Sequence, residues 1–167
     1  MLGAIAGDII GSIYEHDNIK TKDFPLFGEG CQFTDDTICT IAVADWLMNG
    51  GDLSDVLGGY VLRYPNAGYG GMFWEWANQW DRKPYKSWGN GSAMRVSPVA
   101  HFASSEQEAL SLAEQSSAVT HSHPDAVAGA QATVLTMWMA RGGADIPTMR
   151  QAITERFGYD LSETVDE

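Results

Sequence analysis

The chain has 167 residues with 22 acidic and 10 basic side chains, a net charge of −12, and 44% hydrophobic residues. That composition suits one globular domain, residues 1–167, and excludes a disordered, fibrous or low-complexity protein. A chain this acidic with no Lys/Arg run argues against a nucleic-acid partner. If it handles a phosphate-bearing substrate, bound metal ions or backbone N–H groups must supply the positive charge.

The chain order reads as helices throughout. Leu2, Ile5, Ile9 and Ile13 recur at spacings of three and four, with Gly3, Gly7 and Gly11 forming a second stripe. Three glycines in register predict close approach of a neighbouring helix. Asp8, Ser12 and Glu15 form a polar stripe on a third face. The segment Met1 to Ile13 is apolar, but it has no basic start, Asp8 interrupts it, and it is too short to span a bilayer. No membrane segment is expected, and a cytoplasmic location is. Cys31 and Cys39 lack metal-site spacing and read as reduced thiols.

A loop from His16 to Gln32 leads to Phe33-Thr34-Asp35-Asp36-Thr37, the start of a helix ending near Asn49-Gly50-Gly51. Leu53, Val56, Leu57, Tyr60 and Val61 mark a third helix, stopped by Pro65, and Phe73, Trp76, Ala77 and Trp80 a shorter one. Ser105 with Glu108 forms a capping box for a helix to about Ser117. Pro124 begins a helix that runs to Arg141-Gly142-Gly143, and a last one runs from Pro147 to Phe157-Gly158. After Asp160, Ser162 reads as the cap of a further helix. No segment alternates with period two, so the expected fold is all-α.

Three segments carry chemistry. Asp35 and Asp36 either complement the positive end of a helix dipole or hold a hard cation, for which carboxylate and hydroxyl oxygens are suited. Gly89-Asn90-Gly91-Ser92-Ala93-Met94-Arg95 is either a plain turn or a loop whose bare backbone approaches a ligand. It lacks the spacing of a nucleotide-binding P-loop. His121 and His123, just before a helix, could each be a ligand, a base or a ligand-contacting donor, while one of them reads alternatively as a helix-entry residue or a satisfied polar group. Asp8 and Glu15 are read either as a solvated face or as part of the same site.

Together, Gly3-x-x-x-Gly7-Asp8-x-x-Gly11-x-x-x-Glu15, Phe33-Thr34-Asp35-Asp36-Thr37, Gly89-Asn90-Gly91-Ser92-Ala93-Met94-Arg95 and Thr120-His121-Ser122-His123-Pro124 resemble the ADP-ribosylglycohydrolase family. That family includes the enzyme that removes ADP-ribose from dinitrogenase reductase. The resemblance implies an all-α, multi-helix orthogonal bundle with two Mg²⁺ or Mn²⁺ ions. It implies a hydrolase that cleaves ADP-ribose from a modified protein side chain or a small conjugate. Thr34, Asp35 and Asp36 match the family's first metal-ligand group, and Glu15 matches the acid beside the metals. Glu15 and Asp35 are thereby the candidates to position or deprotonate the attacking water. Gly89, Asn90, Gly91, Ser92, Met94 and Arg95 match the loop that receives the ADP-ribose phosphates, and His121 a histidine lining the substrate site.

The sequence departs from the family in one respect. The second ligand group, a C-terminal Gly-Gly-Asp-x-Asp-Thr segment, does not occur in it. The expectation is a C-terminally truncated form of the fold, with apolar surface left open to self-association. A catalytically inactive fragment or family relative that acts as a binding or structural protein is the alternative. A terpene synthase, also all-α with an aspartate pair, needs an acid where Cys39 stands, and is set aside.

Overall fold

A computed structural model describes residues 1–162 of the chain. Among the described residues it is all-helical, with no strand: α1 (Leu2–Gly11), α2 (Asp35–Asn49), α3 (Leu53–Arg63), α4 (Gly71–Ala77), α5 (Ser97–Phe102), α6 (Glu106–Ala118), α7 (Pro124–Arg141) and α8 (Ile146–Phe157). The expectation of a further helix after Ser162 lies outside them. None of these helices is long and apolar enough to cross a membrane.

The helix boundaries follow from local chemistry. Asp52, Ser105 and Asp145 each accept a backbone N–H from the first turn of α3, α6 and α8, satisfying donors that have no partner within the helix. Glu108 reaches back to the amide of Ser104, one residue before that cap. Gly50 at φ 76° and Gly158 at φ 72° end α2 and α8, in conformations that side chains resist.

The core joins α2, α3, α4, α5, α6 and α7 through Ala42, Val43, Leu57, Val61, Trp76, Val99, Ala113 and Val134. Alanines on facing helices let α6 lie closely along α7, while Trp76 fills the wider gap beside α4. A smaller cluster of Ala132, Leu135 and Ile153 fastens α8 to α7.

Three expectations need correction. First, the glycine stripe of α1 meets no neighbouring helix: a Cβ built at Gly3, Gly7 or Gly11 has no atom within 4 Å, and α1 has no buried residue. The helix is tied on by hydrogen bonds and not by close packing of its small face. Second, α5 was not expected, because Val96, Val99, Ala100 and Ala103 are buried on all sides and so show no amphipathic period. Third, the short helix stops at Ala77, where the Asn78 side-chain Nδ2 donates back to the Trp74 carbonyl (2.8 Å), and Trp80 is fully exposed.

Candidate active site

Asp8 organises the start of α2. One carboxylate oxygen accepts the Thr34 hydroxyl (2.5 Å), and the other accepts the amides of Thr34 (2.8 Å) and Thr37 (3.2 Å) together with the Thr37 hydroxyl. Thr34 in turn caps the helix by accepting the Asp36 amide (3.4 Å). Asp8 is therefore not simply a solvated surface residue, since its carboxylate fixes the turn that carries Asp35 and Asp36.

The acidic pair divides two cavities. Asp35 lines one of about 480 Å³, together with Gly70, Gly71, Met72, Phe73, Tyr85, Ser87, Gly89 to Gly91, Met94, Arg95 and His121. Asp36 lines the other, of about 400 Å³, with Glu15, Asp8, Tyr14 and Thr34. Asn90 borders both.

The electrostatics mark a crowded acidic site. Burial, then the charges of Asp36, Glu15 and Asp8, push the Asp35 carboxyl up to about 7. Burial, then Asp8 and Glu15, raise Asp36 as well. No cationic side chain contributes to the shift of either. Two hard carboxylates under mutual repulsion suit a divalent cation in donor chemistry. The geometry supplies only part of a ligand set: among the described residues, no three His, Cys, Asp or Glu side chains converge as a metal cluster.

The opposite wall of the larger cavity is built from two crossing loops. The Ser87 amide donates to the Thr120 carbonyl (3.4 Å) and the His123 amide to the Ser87 carbonyl (3.4 Å), joining residues 87 and 120–123. His123 then caps α7, accepting the Asp125 amide on Nδ1 (3.2 Å), while His121 turns to the cavity. The two histidines thus divide the capping and cavity roles. Burial, then the charge of Arg95, lowers the His121 pKa to about 4, so the ring is neutral at pH 7.

Of the seven cavity residues predicted from sequence, Gly89, Asn90, Gly91, Met94, Arg95 and His121 share the larger cavity with Asp35. Ser92 lies elsewhere: it is fully buried, and its hydroxyl donates to the Ala126 carbonyl (3.3 Å), which binds the loop to α7. Sequence reasoning missed Tyr85, Ser87 and the segment from Gly70 to Phe73. The run Gly68-Tyr69-Gly70-Gly71 carried a signal for that segment, since clustered glycines before a helix often leave backbone open.

Gly91 has no room for a side chain, because a Cβ there falls 2.8 Å from Cε1 and Nε2 of His121. That ring is held by its neighbours and cannot swing aside as a flexible chain end would. Gly91→Ala should therefore lower stability by about 1–3 kcal/mol and disturb His121. Urea unfolding with an unchanged midpoint would show that the loop yields instead.

A comparison with curated proteins found no match. The family model for ADP-ribosylglycohydrolase matches residues 1–166. With its all-helical fold and a match over nearly its whole length, the chain belongs to the ADP-ribosylglycohydrolase family.

Proposed function

We propose that this chain binds ADP-ribose across the cleft between Asp35 and His121 and hydrolyses its glycosidic bond to a protein side chain or a small conjugate. The observation that carries the reading is the placement of Asp35 and Asp36 between two cavities bordered by the same residue, Asn90. A ligand laid past Asn90 has its reacting end at the acids and its remainder along Gly89 to Gly91.

Asp35 and Asp36, with Thr34, would hold Mg²⁺ or Mn²⁺, two ions in all, and further oxygen donors would be needed to complete the set. When bound, such ions would supply Lewis acidity beside the ribose. Glu15 or Asp35 would take the proton of the attacking water, one lining each of the two cavities that the acidic pair separates. The surrounding negative charge stabilises the cationic character that develops at the anomeric carbon.

Binding without turnover is the second reading, favoured because, among the described residues, no group of three His, Cys, Asp or Glu side chains is arranged to hold a metal ion. Incubation with ADP-ribosylarginine and ADP-ribosylserine peptides in Mn²⁺ separates the two. Release of ADP-ribose supports hydrolysis, and peptide binding without release supports the second. Neither binding nor release overturns both.

A further inference from the structure

Arg95 is fully buried inside an acidic protein, yet among the described residues no carboxylate pairs with its guanidinium. Its Nη2 donates to the Ser116 carbonyl (2.5 Å) and to the Thr120 hydroxyl oxygen (3.0 Å). A buried guanidinium spent on two neutral acceptors is costly to keep for packing alone. What it controls lies one bond further on, because Thr120 Oγ1 sits 2.7 Å from Nδ1 of His121.

The direction of that last hydrogen bond follows from counting protons. Arginine only donates, so Thr120 Oγ1 accepts from Arg95 and still has its own proton to place. Thr120 is fully buried, and Nδ1 of His121 is the acceptor in reach. If Nδ1 carried a proton instead, the hydroxyl oxygen would accept from both neighbours and its own buried proton would be left without a partner. Donation from Thr120 to Nδ1 gives a partner to the Arg95 Nη2–H, the Thr120 hydroxyl proton and the Nδ1 lone pair, although Arg95 Nε stays without one. In a neutral imidazole the remaining proton then sits on Nε2, the atom beside Gly91 and Gly89 at the cavity wall.

We infer that Arg95 and Thr120 are positioning residues that lock His121 as its Nε2–H tautomer, so that it presents a hydrogen-bond donor to an oxygen of the ligand in the cavity. The ring is held in place from other sides too. The His121 amide donates to the Ser117 carbonyl (2.7 Å), the Ser117 hydroxyl donates to the His121 carbonyl (2.8 Å), and Tyr85 meets the ring edge-on at 5.9 Å. A locked donor cannot accept the proton of a water molecule, so the general base must be sought among the carboxylates across the cleft. A phosphate or a ribose hydroxyl oxygen fits this donor, whereas a group that offers only donors does not. The ligand's identity rests on the function proposed above; the tautomer does not.

The test is a long-range ¹H–¹⁵N correlation spectrum of the ligand-free, ¹⁵N-histidine-labelled protein at pH 7. The expected result for His121 is an unprotonated Nδ1 and a protonated Nε2, with Thr120→Ser keeping that pattern and Thr120→Val losing it. Nδ1–H in the wild-type protein overturns the proposal, even if Thr120→Val fails to fold. Adding ADP-ribose tests the ligand separately. A shift of Nε2–H supports an oxygen acceptor there, and an unshifted Nε2–H with ADP-ribose bound overturns the assigned donor role. A correct tautomer with no ADP-ribose binding contradicts the proposed function while leaving the relay intact.

Discussion

Asp35→Asn with Asp36→Asn should abolish Mn²⁺ binding and yet leave a protein that is more stable in the absence of metal. Both effects come from the same crowding. The fold favours the protonated Asp35 carboxyl, whose pKa is pushed up to about 7 by burial and by Asp36, Glu15 and Asp8. For a carboxyl raised in the folded state, stability is highest below about pH 4 and is lost as pH rises through about 7. Asparagine is neutral throughout, so the double variant escapes that loss. The gain at pH 7.5 should be on the order of 1–2 kcal/mol, allowing for the water that still screens a partly exposed pair. Chemical denaturation at pH 5 and pH 7.5, with and without Mn²⁺, reads both effects. A double variant that binds Mn²⁺ as the parent does, or that is less stable at pH 7.5, would contradict this account.

The second large effect is expected at Asp8. Its carboxylate receives two amides and two hydroxyls from the start of α2, and α1 has no buried side chain to hold it in compensation. Asp8→Ala leaves four donors to find water and frees α1 from its anchor. Hydrogen bonds to a charged group contribute more than neutral ones, and the loss should be on the order of 2–3 kcal/mol. For a chain of this size that is a fall in Tm of roughly 4–12 °C. Glu15 lies just beyond α1, so amide exchange should quicken across residues 2–15 and the cavity holding Asp36 should lose its outer wall. A Tm within a degree of the parent, with α1 still protected, would show that other contacts hold this helix.

Much of the fold was legible because its signals are local. Caps at Thr34, Asp52, Ser105 and Asp145, and the stops at Gly50 and Gly158, depend on a few consecutive residues. What escaped was the consequence of tertiary context. Ser97 to Ala100, four consecutive residues of the short α5, are all buried and present no period, and the glycines of α1 face open space although their spacing suggests a partner. At the site, the family resemblance singled out the acids and the loop, which spacing alone left open, but whether Asp8 was solvated depended on two threonines more than 25 positions away. Likewise the hydroxyl of Ser92 reads as a ligand contact until the carbonyl of Ala126 is seen to occupy it. Tyr85 and Ser87 reach the cavity because their loop pairs with residues 120–123, a pairing with no mark in either segment.

The central claim is that the cleft between Asp35 and His121 takes ADP-ribose with the assistance of a divalent cation. Calorimetric titration of ADP-ribose into the protein, with and without saturating Mn²⁺, addresses it directly. The account predicts one ADP-ribose per chain, bound more tightly when Mn²⁺ is present and weakened by Gly91→Ala. Absence of binding under both conditions, or binding indifferent to both Mn²⁺ and Gly91→Ala, would contradict it.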